Sequence, residues 1–199
     1  MIRTPVALVP YILLVAVLIG GFLWQRGDEM IAGQMTVSGT ASVGGPFGLT
    51  DQTGATRSDK DFRGRYMLIY FGYTYCPDVC PLTLGVMEDA LSKLPKDQAK
   101  RIVPIFITVD PARDTPSVLK TYLHGFGKEW IGLTGDAPSI ANVAKEYRVY
   151  YAKAPLEGGG YAMNHSSVIY LMAPNGTFVT HYEEDIGPKA LADDLKKRI

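Results

Sequence analysis

Phe71-Gly72-Tyr73-Thr74-Tyr75-Cys76-Pro77-Asp78-Val79-Cys80-Pro81 (FGYTYCPDVCP) holds both cysteines of the chain, with three residues between them and a proline after each. Upstream, Tyr66–Phe71 is an apolar, β-prone run that reads as a buried strand. Downstream, Leu82, Leu84, Met87, Leu91 and Leu94 recur at helical spacing up to Pro95. The motif thus lies where a strand hands over to a helix. Unpaired N–H groups and the positive end of the helix dipole gather there, and both favour a thiolate over a thiol. Pro81 disfavours helical conformation at Cys80 and suits a first helical position, so the pattern predicts Cys80 as N-cap with Cys76–Val79 as a tight turn.

Working outward, strands and helices alternate. Pro46–Thr50 reads as a short strand followed by a turn at 51–54, and Ile102–Val109 as a second buried strand. Thr115 caps a helix whose first residue is Pro116, running to about Gly125. Trp130–Thr134 is a third strand, and Ser139, Ile140, Val143, Ala144 and Tyr147 mark another helix. Tyr150–Ala152 begins a strand or hairpin edge, and Ala154–Gly160 (APLEGGG) reads as a flexible loop. Ser167–Met172 and Thr177–Tyr182 form a hairpin around Pro174-Asn175-Gly176, and residues 187–199 close the chain as a helix with Leu191 and Leu195 inward. This order predicts an α/β fold: a mixed sheet flanked by helices, thioredoxin-like because a CxxC-like motif occupies the first strand–helix junction. In that architecture the segment before the last hairpin faces the cysteine turn, and His165 lies in it.

Composition bounds the rest. The 199 residues carry no net charge, and 47% are apolar. No basic field points to nucleic acid. Thr4–Gln25 contains no charged residue, and about 20 apolar residues span a bilayer core. The apolar run is long for a signal peptide and lacks a clear A-x-A cleavage site, so an uncleaved anchor is expected at 1–27, with residues 5–24 in lipid. Residues 28–45 read as a tether and 46–199 as one domain. Lysine and arginine counts leave the orientation of the anchor nearly balanced; thiol chemistry favours an oxidising compartment. The expected location is a bacterial inner membrane, crossed once, with the globular part in the periplasm.

A bridge closing so short a loop stabilises weakly, so Cys76 and Cys80 point to reactivity or metal binding rather than a structural disulfide. Structural zinc would need four ligands, and only His124, His165 and His181 are available to join the sulfurs. Two thiolates and the His165 imidazole form a soft, low-coordinate set that suits copper. His124 and His181 read as solvated side chains. Met163 is a packing residue that could serve as an extra soft ligand, and Asp110 either supports the site or caps its loop. Tyr70, Tyr73 and Tyr75 either shield the sulfurs or pack in the sheet.

Three segments then carry a resemblance. FGYTYCPDVCP at 71–81, VDPARDTP at 109–116 and NHSSVIYLM at 164–172 resemble the signatures of the Sco/SenC family of membrane-tethered copper proteins, and GGPFGLTDQTG and the apolar N-terminus agree. The resemblance implies a thioredoxin-like domain that binds copper through Cys76, Cys80 and His165. It also implies a role in assembling the copper A site of cytochrome c oxidase, by copper delivery, by reduction of target cysteines, or both. The implied partners are the copper A-bearing oxidase subunit and a periplasmic copper donor or thiol reductant. Asn164 departs from the acidic residue often found before this histidine. The rival reading is a metal-independent thiol–disulfide oxidoreductase using Cys76 and Cys80 as its redox pair. A peroxidase fits less well, because Tyr73 and Pro77 stand where peroxiredoxins place Thr or Ser.

Overall fold

The structure, a computed structural model, describes residues 43–199. The expected anchor (1–27), its lipid-facing stretch (5–24) and nearly all of the expected tether (28–45) lie outside the described residues. No helix among the described residues is long and apolar enough to cross a membrane.

The uninterrupted apolar runs become the middle of the sheet. β3 (Tyr66–Gly72) and β4 (Ile102–Thr108) pair in parallel, and all seven residues of β4 are buried. Strands covered on both faces have no reason to alternate polar and apolar residues. Pro104 is tolerated within β4 because pairing with β5 (Ile131–Thr134) begins one residue later, at Ile105. β1 (Gly48–Asp51) and β2 (Thr56–Ser58) extend one edge; β8 (Val168–Met172) and β9 (Phe178–Glu183) extend the other. The resulting seven-stranded mixed sheet has the order β2-β1-β5-β4-β3-β8-β9. The β8–β9 hairpin turns around Pro174-Asn175-Gly176, as the sequence predicts.

The helices are α1 (Val79–Ser92), the short α2 (Lys96–Ala99), α3 (Pro116–Leu123), α4 (Ala137–Glu146) and α5 (Pro188–Arg198). Their caps follow the sequence closely. Thr115 accepts the N–H of Val118 ahead of Pro116, and Asp136 accepts that of Ser139 at 2.8 Å. α5 buries Leu191 and Leu195 and packs on α1.

Three expectations change. The helix after the motif begins at Val79 with Asp78 as N-cap, so Cys80 is its second residue and Pro81 its third. First-turn N–H groups have no intrahelical partner, so proline costs little there. Leu82, counted among the periodic apolar residues, points outward and is 64% exposed, while Thr83 takes the buried face and returns its hydroxyl to the Val79 carbonyl at 2.9 Å. Finally, Ala154 and Pro155 are not loop. Tyr151–Pro155 (β6) pairs with Tyr161–His165 (β7) in a separate two-stranded ribbon, and only 156–160 form its turn. Gly158, Gly159 and Gly160 all have positive φ there, which explains the glycine run.

The two leucines of α1 give a direct stability test. Leu84 is fully buried, so Leu84→Ala is expected to cost about 2–5 kcal/mol in denaturant unfolding. Leu82→Ala should stay within about 0.5 kcal/mol of the parent. Equal losses would mean the helix face is misassigned.

Candidate metal centre

The topology brings the cysteines and His165 to one end of the strands. β3 and β4 run in parallel, so the cysteine turn and the 109–116 segment both leave from C-terminal strand ends. β8 is antiparallel to β3, with Tyr70 opposite Ile169, so the chain enters β8 at that same end. His165, three residues before β8, is therefore delivered over the cysteine turn from the far end of the sequence.

Both cysteines are unbridged; Cys80 is buried and Cys76 half-buried. Cys80 Sγ rests against the end of β3, where a Cβ on Gly72 would come within 2.9 Å of it. Glycine at 72 is thus a steric requirement for this sulfur's seat. The Cys80 N–H points at Cys76 Sγ, 3.4 Å away. Burial pushes the Cys80 thiol up to about 12, so this cysteine is a thiol at neutral pH rather than the expected thiolate.

His165 is the last residue of β7, opposite Tyr151. The glycine turn lies at the other end of the ribbon, so the histidine is held by a paired strand and not by a loop loosened at 158–160. Its Nδ1 lies 3.1 Å from the Ser166 carbonyl, which can only accept, so Nδ1 carries the proton. The lone pair is then on Nε2, 3.4 Å from Cys80 Sγ. Burial lowers the pKa of the ring, which favours the neutral form. Tyr70 and Tyr73 present their rings nearly perpendicular to the imidazole, at 6.1 and 5.8 Å between centroids. The Tyr70 hydroxyl also approaches Cys80 Sγ at 3.9 Å. These two tyrosines therefore both pack in the core and line the site, whereas Tyr75 is 60% exposed.

The other candidates separate clearly. Met163 is 5% exposed and belongs to the hydrophobic core, lining a cavity of about 340 Å³ beneath the ribbon. Asp110 turns its carboxylate to Arg113 and to the Tyr161 hydroxyl, and its carbonyl accepts the N–H groups of Arg113 and Asp114. It organises the loop rather than facing a sulfur. His124 and His181 are exposed, and Asn164 also faces outward. Sequence reasoning missed Asp114, which is fully buried. It accepts the Thr74 N–H at 3.0 Å and the hydroxyls of Thr74 and Thr108 at 2.5 and 2.6 Å, tying the cysteine turn to β4. Burial raises its pKa. Its one sequence signal is the VDPARDTP motif itself.

Two sulfurs and one imidazole nitrogen thus gather at the C-terminal ends of β3 and β4, and Glu184 acts on the imidazole only through its charge. No three His, Cys, Asp or Glu side chains among the described residues already close on a common point. Cys76, the more exposed of the two, keeps its sulfur beside Cys80.

The family model described as SCO1/SenC matches residues 35–199. The mitochondrial SCO1 homolog 1 of Arabidopsis thaliana is 40% identical over 162 residues, covering 81% of this chain and 48% of its own length. A SCO2-like protein of Rickettsia felis is 38% identical over 194 residues, covering 93% of this chain and 94% of its own. The chain therefore spans about half of the first relative and nearly all of the second. Among solved structures, copper-bound ScoI of Bradyrhizobium japonicum is 46% identical with a TM-score of 0.73, over 79% of this chain and all of that one. BsSco, described as a member of the Sco family of cytochrome c oxidase assembly proteins with a disulfide switch, is 27% identical with a TM-score of 0.63, over 78% of this chain and 93% of its own. With a buried cysteine–histidine contact at the strand ends and a family match over most of its length, this chain belongs to the SCO1/SenC family.

Proposed function

We propose that this chain is a copper metallochaperone that binds copper through Cys76, Cys80 and His165 and serves assembly of the copper A site of cytochrome c oxidase. The observation that carries the reading is the Nε2 lone pair of His165 directed at Cys80 Sγ across 3.4 Å, with the ring's other nitrogen occupied by Ser166. A hydrogen bond from the ring's far nitrogen to a carbonyl fixes the tautomer that a metal needs. The soft donor set and the copper-bound relative support copper over harder cations. Loading requires Cys80 to release its proton. Unloading reverses this step, and the more exposed Cys76 is the sulfur that an incoming partner ligand reaches first.

The disulfide switch described for BsSco favours a second use of the same pair. Cys76 as thiolate attacks a target disulfide and releases one target sulfur as thiol. Cys80 then attacks Cys76, closing the bridge and releasing the second, so two electrons pass to the target. A chain anchored through 1–27, with lipid contact at 5–24 and a tether at 28–45, would present residues 46–199 to a periplasmic donor or reductant and to the oxidase subunit.

Loss of an outer-sphere partner alone costs a metal site roughly 10–100-fold in affinity. His165→Ala in the full-length chain is therefore expected to weaken Cu(I) binding by at least about tenfold in competition with a chromophoric chelator. Parent-like affinity would remove His165 from the ligand set. The same assay has a pH signature. Cys80 enters as a thiol, so copper displaces its proton, and apparent affinity should climb about tenfold per pH unit from about pH 6 to about pH 8 for each proton displaced. His165, with its lowered pKa, adds little to this slope. A flat profile would mean Cys80 is already ionised or is no ligand.

A further inference from the structure

The VDPARDTP segment takes no part in the ligand set, yet Arg113 at its centre is the most connected side chain near the ribbon. Its Nε pairs with Asp110, and its Nη1 donates to the Tyr161 carbonyl at 3.0 Å. Its guanidinium carbon lies 3.9 Å from the ring centroid of Tyr161, 4.7 Å from that of Tyr75 and 5.8 Å from that of Tyr73. The Tyr161 hydroxyl closes the circuit by donating to Asp110 at 2.9 Å. We propose that Arg113 is a positioning residue for His165, clasping the β6–β7 ribbon to the loop after β4 so that the imidazole stays against Cys80. This inference rests on the copper reading above.

The ribbon needs such a clasp. It belongs to no larger sheet among the described residues, and an isolated pair of strands is marginal in water. The cavity lined by Val109, Pro111, Tyr151 and Met163 leaves its packing against the domain incomplete. Tyr161, where Arg113 grips, begins the strand that His165 ends. A second route is shorter: Arg113 backs the Tyr73 ring, which stands perpendicular to the imidazole at 5.8 Å between centroids. The neighbouring Asp114 holds Thr74 in the cysteine turn, so one short loop fixes both halves of the site. Arginine suits the post because its planar fork can hydrogen-bond and stack at once, which a lysine ammonium cannot.

The test is a double-mutant cycle in the full-length chain, reading Cu(I) affinity for the parent, Arg113→Gln, His165→Ala and the double variant. Circular dichroism confirms folding of each. Arg113→Gln is expected to lose roughly tenfold in affinity, the scale of an outer-sphere ligand partner. In the His165→Ala background it should lose no more than about twofold, because its effect passes through the absent ring. Tyr161→Phe, which removes only the hydroxyl to Asp110, should shift affinity in the same direction and decides the matter should Arg113→Gln not fold. Parent-like affinity in the folded variants, or an equal loss with and without His165, overturns the proposal. A parent-like His165→Ala instead overturns the ligand assignment beneath it, an outcome separately visible in the same cycle.

Discussion

The contact on which this site depends is a desolvated pair: a thiol on the first turn of α1 and an imidazole nitrogen that reaches it from 85 residues away. Burial acts on both members in the same sense, keeping Cys80 protonated and His165 uncharged. The pair is therefore electrically neutral and needs no counter-charge in the core. A soft cation that replaces the thiol proton would convert this resting contact into coordination with little movement on that side. Cys76, the other sulfur, is half-buried and the more exposed of the two.

The two halves of the site are built differently. Cys80 is anchored by the strongest part of the fold, with β3 paired on both sides and Gly72 leaving room for its sulfur. His165 comes from a ribbon outside the main sheet, held by Met163 in the core, by edge-on tyrosine rings and by polar ties to the loop after β4.

Much of this was legible in the sequence because the relevant signals are local. The continuous apolar runs of β3 and β4, the Thr115-Pro116 cap, the Asn175-Gly176 hairpin turn and the inward Leu191 and Leu195 each rest on a few adjacent residues. The meeting of His165 with the cysteines was legible through topology, since β8 returns antiparallel beside β3. What escaped was set by tertiary context. Pro81 looked like a helix start, but a proline is equally at ease in the third position of a first turn. Leu82 was counted with the apolar face, yet it lies outward and Thr83 takes the buried position. The dipole argument suggested a thiolate at Cys80, and only the depth of burial reverses it. The pairing of β6 with β7 crosses a glycine-rich turn that reads as plain loop, and the clasp formed by Asp110, Arg113 and Tyr161 joins residues about 50 apart that no spacing rule connects.

The most direct measurement of the central claim is copper X-ray absorption on the full-length chain loaded with one equivalent of Cu(I). The account expects a first shell of two sulfurs and one imidazole nitrogen, with the outer-shell scattering of a histidine ring that disappears in His165→Ala. A shell of sulfur alone in the parent, or a ring signature that survives the loss of His165, would contradict it.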